Sequence, residues 1–460
     1  MVVTQINMEF RFRGMKLRGF SCEVIKSPNG FISETFGSIL LQVLFPFLLS
    51  GMGMLIAGLV AHEAQHWKVF VDIKELLTLV PSLVGLKGNL EMTLASRFST
   101  AANTGVIDNP QEQQKMIFGN LALVQVQATV VGLLAALVAL VLEFISGQKV
   151  ELSHIGVLCA SSVVTAFVAA FFLGVTMIGV ILTARKLGIN PDNIATPIAA
   201  MLGDVIALSI LALISSIFYK YIEKYYIFLG ICLFFFALIP MWIIIVNQSP
   251  SIFQVLKTGW YPIIISMFIS SLGGLIFSKA VSEKDFKGMA FFTPVVNGVG
   301  GNLVSIQVSR ISTYLYSWST LGVLPYNMKS YWPNPCTTFC SSEINSVSAR
   351  VLLLLVVPGQ LIFLFIIHLK EGDEIGLNPL FVVMYLIGSF TQVLILLYLA
   401  DFMVRLIWRW SQDPDSYCIP YLTGLGDLLG VSFLTICFLL NSFLFKKNLE
   451  NSNMADTGPP

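Results

Sequence analysis

Two aspartates, Asp204 and Asp427, each stand a few residues into a long apolar stretch and each close the tripeptide Leu-Gly-Asp. An ionisable group at mid-span costs roughly 2.5 to 3.5 kcal/mol on insertion scales, so each needs a partner or a water-lined cavity. No Lys or Arg lies within a helical turn of either. One and two turns earlier on the same helical face come Ala200 and Thr196 in the first stretch, and Thr423 and Ile419 in the second. Pro197 and Pro420 remove backbone donors and so free carbonyls near that surface. If the two segments face each other, they form an oxygen-lined ring with up to two negative charges. A hard divalent cation suits such a ring, and magnesium, which is commonly held by one or two carboxylates while keeping several waters, suits it best. The competing reading is structural: aspartates bonded to neighbouring backbone or to Ser209 and Ser432.

A second set of polar interruptions accompanies the aspartates. Gly85, Gly88 and Asn89, and then Gly298, Gly300, Gly301 and Asn302, break apolar runs and mark kinked or closely packed helices beside a cavity. Asn89 and Asn302 can offer carbonyl oxygens to a hydrated ion. Glu91 falls opposite Val304, which predicts a chemically asymmetric pore lined by Asn89, Asn302, Pro197, Pro420, Gly88, Gly301 and Glu91. Arg97 and Arg310 close their spans as interfacial anchors, and Gln125 and Gln127 read as interhelical glue. His62, His66, His154 and His368 lack metal-ligand spacing.

These residues recur because the chain repeats itself. PSLVGLKGNLEMTLASRFST from Pro81 aligns without a gap with PVVNGVGGNLVSIQVSRIST from Pro294, at a constant offset of 213 residues. NPDNIATPIAAMLGDVIALS from Asn190 aligns with DPDSYCIPYLTGLGDLLGVS from Asp413, at an offset of 223 residues. Two ungapped matches in one order indicate an internal duplication.

The elements that position them are membrane spans. The chain is 56% hydrophobic and 12% charged, with a mean hydropathy of +0.80, whereas soluble domains run nearer a quarter charged. Apolar runs long enough to cross a bilayer fall near 38–60, 76–97, 117–142, 155–183, 194–218, 226–246, 259–280, 290–312, 350–369, 379–400 and 417–444, about eleven in all. The expected fold is an all-α polytopic membrane protein of two parallel five-helix repeats joined by a connecting transmembrane helix. An odd number of spans per repeat would invert the second copy, and the connecting span restores its orientation. The expected divisions are a basic N-terminal tail 1–37, a first repeat 38–220, the connecting helix 221–250, a second repeat 251–445 and a polar tail 446–460. A pore on the pseudo-two-fold axis is complete within one chain, so no oligomer is required for it.

The net charge of +1 excludes a basic field for nucleic acid. Seven scattered cysteines suggest neither a disulfide framework nor a zinc site; Cys336 and Cys340 share a loop without implying a bond. No secretory signal is expected, and the tail bearing Arg11, Arg13, Lys16, Arg18 and Lys26 suits either a mitochondrial address or a positive-inside flank. Arg185, Lys186, Arg310, Arg405 and Arg409 put the N-terminus on the matrix or cytoplasmic side, against Lys279, Lys284 and Lys287.

PSLVGLKGNLEMTLASRFSTAANTG and FFTPVVNGVGGNLVSIQVSRIST, with the two Leu-Gly-Asp helices, resemble solute carrier family 41, the eukaryotic relatives of the bacterial MgtE magnesium channels. The resemblance covers about residues 38–445. It implies Mg²⁺ transport by ten pore-forming helices from two fused MgtE-like units, with Na⁺ as the coupling ion in animal members and no cofactor. It also implies that Asp204 and Asp427 bind hydrated Mg²⁺ on the two-fold axis, and it admits the inner mitochondrial membrane, here favoured, or the plasma membrane. The chain departs from the bacterial pattern in lacking room for magnesium-sensing domains and in carrying Thr196 and Ile419 where an asparagine precedes the pore proline. Two alternatives stand beside this reading: a transporter of another divalent cation, and an intramembrane aspartyl protease. Gly424-Leu425-Gly426-Asp427 matches the Gly-x-Gly-Asp motif of such proteases, but the chain has no Tyr-Asp pair and no Pro-Ala-Leu element.

Overall fold

The computed structural model describes residues 11–12, 15–16, 36–103, 109–146, 151–186, 192–283, 286, 288–328, 330, 332–371 and 378–456. Apart from a two-residue antiparallel ladder, β1 (Arg11–Phe12) with β2 (Met15–Lys16), the described secondary structure is helical. The long helices are α1 (Phe36–Ala64), α3 (Glu75–Asn103), α4 (Pro110–Ile145), α5 (Leu152–Lys186), α6 (Asp192–Tyr219), α7 (Tyr225–Val246), α9 (Trp260–Val281), α10 (Met289–Trp318), α12 (Ile344–Glu371), α13 (Pro379–Arg409) and α14 (Pro414–Asp456). Short helices α2 (Lys68–Asp72), α8 (Pro250–Thr258) and α11 (Pro335–Phe339) join them. Starts are set locally: an Asn-Pro, Ser-Pro or Asp-Pro pair opens α4, α8, α11, α13 and α14, because proline's missing N–H is no loss in a first turn. Asn109 also caps α4, accepting from the Gln111 amide at 3.1 Å.

Ten of the described helices are long and apolar enough to cross a membrane. The chain is an all-α polytopic membrane protein. The expected span near 76–97 forms α3, which is not among those ten; Lys87, Glu91 and Arg97 interrupt its apolar run. A helix this polar needs neighbours rather than lipid, and α3 is walled by α4, α5, α6, α9 and α14. Its sequence counterpart α10 has the lowest hydropathy of the ten, 1.3, and 83% of its most apolar window is buried, against 6% for α7. Thus α3 and α10 form the centre and α7 the periphery.

Helix neighbours come in matched pairs. Within the first set α1 packs on α6, α3 on α4, α5 and α6, α4 on α5, and α5 on α6; in the second set the same relations hold for α9, α10, α12, α13 and α14. Contacts between sets are matched as well: α1 crosses to α10 and α12, while α9 crosses to α3 and α4. These crossings are close. A methyl group at Gly58 would collide with the Phe291 carbonyl, and one at Gly274 with that of Thr78. Helix α7 leans on α4 and α5 and has no such twin among the described residues.

One sequence expectation changes at the end of the second set. Arg405, read as an interfacial positive charge, is 6% exposed and grips Asp401 through bonds of 2.8 and 3.0 Å. Thr338 of α11 donates to the same carboxylate at 2.7 Å, and Trp332 stacks on Phe402 at 4.3 Å. Together these contacts pin the loop before α12 onto α13. In that loop Cys336 and Cys340 are free thiols.

Candidate cation site

Asp427 lies on α14 and is 9% exposed. Ser270 of α9 donates to its Oδ2 at 2.8 Å. Gly85 of α3 leaves the space beside it, since a methyl group there would stand 2.5 Å from the same oxygen. The carboxylate is therefore held where α3, α9 and α14 meet. Asp204 is half-buried on α6. The two aspartate-bearing helices, α6 and α14, both pack on α3.

Glu91 joins them from α3. It is 2% exposed, and a methyl group at Gly203, the neighbour of Asp204, would fall 2.8 Å from its Oε2. Helix α3 thus touches both sides of the site, presenting Gly85 to Asp427 and Glu91 to the backbone beside Asp204. Its counterpart α10 does neither in the same way: Val304 is buried in an apolar cluster, and Gly298 faces Met54 of α1.

The remaining sequence candidates divide. Thr423 is buried, with its hydroxyl donating to the carbonyls of Ile419 at 2.9 Å and Pro420 at 3.0 Å, and its methyl lies 3.7 Å from where a Cβ on Gly301 would stand. The Ile419 side chain belongs to the apolar cluster of α10, α13 and α14, so its contribution is confined to the backbone. Asn302 donates its amide to Ser50 of α1 and ties α10 to α1. Helix α3 carries Gly88 and Asn89, and α6 carries Thr196, Pro197 and Ala200, but the side chains of these five lie outside the described residues.

Ser270 was not among the sequence candidates. The available signal was a serine stripe on α9: Ser266, Ser270 and Ser271 are all buried, and Ser271 pairs with Ser82 of α3 at 2.8 Å. Among the described residues no three His, Cys, Asp or Glu side chains are grouped closely enough to hold a metal ion. Separated carboxylates with hydroxyl and backbone oxygens between them can instead hold an ion through its water shell.

The family model MgtE, described as a divalent cation transporter, matches twice, over residues 80–214 and 293–437. The chain is similar to solute carrier family 41 member 3 of Rattus norvegicus, 61% identical over 444 residues that cover 96% of each chain. It is also similar to member 3 of Mus musculus, 59% identical over 91% of this chain and 86% of that one. Member 2 of Homo sapiens is 52% identical over 88% of this chain and 71% of its own. No solved structure matches. The protease alternative falls with these findings, since the family is one of transporters and not of enzymes. With both family matches spanning the paired aspartate helices, the chain belongs to solute carrier family 41, the MgtE-type divalent cation transporters.

Proposed function

We propose that this divalent cation transporter carries Mg²⁺ along the axis between two five-helix repeats, 38–220 and 251–445, joined by a connecting segment at 221–250. Asp204 and Asp427 are its principal ion-binding groups. The observation that supports the reading most directly is that α3 meets both aspartate-bearing helices, with Gly85 beside Asp427 and Glu91 beside Gly203. Two carboxylates match the charge of a divalent ion, and a site without three grouped His, Cys, Asp or Glu side chains among the described residues suits an ion that keeps its water. Magnesium gives up water reluctantly, whereas zinc and copper favour His and Cys ligands in direct contact. A different divalent cargo is the second reading, and transport selectivity among Mg²⁺, Ca²⁺ and Mn²⁺ decides between them.

The coupling ion is Na⁺, moving opposite to Mg²⁺ so that the protein exports magnesium. A single chain supplies both walls of the pore. For location, the inner mitochondrial membrane is favoured by the basic segment before α1, with the plasma membrane as the alternative.

The test is Mg²⁺ flux in proteoliposomes with and without an opposing Na⁺ gradient, for the wild type and for Asp204→Asn combined with Asp427→Asn. Flux that needs the gradient and collapses in the double variant is the expected result. Unimpaired flux in a folded double variant removes the aspartates from the site, and absence of Mg²⁺ flux under either gradient overturns the function.

A further inference from the structure

Two buried amides flank Asp427 and have no part in the site described above. Asn297 on α10 is 8% exposed and Gln392 on α13 is 1% exposed. Gln392 Nε2 donates at 2.9 Å to the carbonyl of Gly426, the residue before Asp427, which fixes the amide and turns its oxygen away from that bond. Asn297 approaches the same helix at Gly430, where a methyl group would collide with its Oδ1 and lie 2.9 Å from Gln392 Nε2. A methyl group at Gly300 would lie 2.5 Å from the same Nε2. Gly300 and Gly430 therefore hollow the junction of α10, α13 and α14 to admit both amides.

The first repeat does not build this hollow. At the offsets of the duplication, Val84 stands for Asn297, Lys87 for Gly300 and Ala207 for Gly430. In the second repeat neither Asn297 Oδ1 nor Gln392 Oε1 has a hydrogen-bond partner. A buried acceptor left this way costs about 1 to 3 kcal/mol, so two at one junction call for a shared donor or a cation. Amide oxygens bring no formal charge to neutralise, which suits a monovalent ion, and oxygens of this kind coordinate such ions in channels and transporters.

We propose that Asn297 Oδ1 and Gln392 Oε1 are ligands of a Na⁺ site beside Asp427, present in the second repeat alone. The proposal rests on the Na⁺-exchange reading and gives that ion a place. It also supplies a route for coupling: Gln392 holds the backbone next to Asp427, so an ion that draws on Gln392 acts on the segment that binds Mg²⁺.

The experiment uses full-length protein in two formats. In detergent, the thermal midpoint is compared in NaCl, KCl and choline chloride at equal ionic strength. In proteoliposomes, the Na⁺ concentration for half-maximal Mg²⁺ efflux is measured for wild type, Asn297→Val, Gln392→Leu and Asn297→Asp, with stabilisation by Mg²⁺ reporting that each variant is folded. NaCl is expected to stabilise the wild type beyond the other salts. Asn297→Val and Gln392→Leu are expected to raise the Na⁺ requirement on the order of tenfold or more, while Asn297→Asp, which keeps an oxygen in place, retains the Na⁺ response. If wild-type Mg²⁺ flux ignores Na⁺, the exchange reading fails at that step. If it depends on Na⁺ and the folded apolar variants keep the wild-type Na⁺ response, exchange stands, this site is overturned, and the two oxygens hold water only. Should both apolar variants misfold, a wild type that gains no more from Na⁺ than from choline, or an Asn297→Asp protein that loses its Na⁺ response, overturns the proposal.

Discussion

Ser270 and Met54 occupy twin positions, each four residues before a crossing glycine, Gly274 on α9 and Gly58 on α1, yet only the serine reaches an aspartate. Met54 turns its sulfur toward Gly298 instead. The two carboxylates are thus equivalent in sequence and unequal in setting. Removing the Ser270 hydroxyl deletes a hydrogen bond to a charged group, worth about 1.5 to 3 kcal/mol. Ser270→Ala is expected to weaken Mg²⁺ binding roughly tenfold or more, with Met54→Ala changing it little. The apparent KM for Mg²⁺ in vesicle flux checks this, and equal effects of the two substitutions would contradict it.

The third carboxylate gives a second prediction. Glu91→Val copies the residue that the second repeat carries at the matching place, Val304, and so makes the walls alike. A single negative charge about 10 Å from a divalent ion, at an effective dielectric constant of about 20, contributes on the order of 3 kcal/mol. Loss of Glu91 should therefore weaken Mg²⁺ binding on the order of a hundredfold. Glu91→Asp should recover part of the loss. Titrating Mg²⁺-induced thermal stabilisation in the three proteins reads the order directly, and a Glu91→Val protein that binds Mg²⁺ as tightly as the wild type would refute it.

What the sequence discloses follows from what duplication can expose. Asp204 and Asp427 stand out because a costly residue recurs at one depth in two copies. The swapped arrangement, in which α1 and α9 cross to the opposite set, has no local signal, since a crossing glycine looks the same whichever helix it meets. Ser270 is only half legible: it shares a helical face with Ser266, but nothing in the sequence names its aspartate partner, which is 157 residues away. The amide Asn297 escapes a symmetry-led reading because the first repeat carries Val84 in its place, and Gln392 lies outside both matched segments. Helix α3 was legible as a span by its length and its match to α10, but its acidic and basic residues make it a helix for protein surroundings, not for lipid.

A third prediction concerns the loop pinned to α13. Asp401 and Arg405 are both buried and bonded to each other, with Thr338 donating to the same carboxylate. Asp401→Ala strands a buried guanidinium, which costs about 3 to 5 kcal/mol. Replacing both members, Asp401→Leu with Arg405→Leu, removes the charge with its partner and should cost much less. Thermal unfolding in detergent should rank the double variant above Asp401→Ala, and the reverse order would mean that the pair contributes little beyond its packing.

The crossing glycines make the last prediction, and it tests the paired architecture itself. Gly58 meets the Phe291 carbonyl and Gly274 meets that of Thr78, and Phe291 and Thr78 are matched by the first duplication offset. Backbone cannot rotate away as a side chain can, so Gly58→Ala and Gly274→Ala each force two helices apart, at about 1 to 3 kcal/mol. The losses should be similar, because the crossings are related by the same pseudo-symmetry. Their effects on transport should differ, since Gly274 lies one turn from Ser270 and Gly58 one turn from Met54. Thermal midpoint and Mg²⁺ KM measured on the same preparations separate the two quantities. Similar midpoints with a larger KM change for Gly274→Ala support a symmetric frame around an asymmetric site, whereas dissimilar midpoints would remove the symmetry of the crossings from the account.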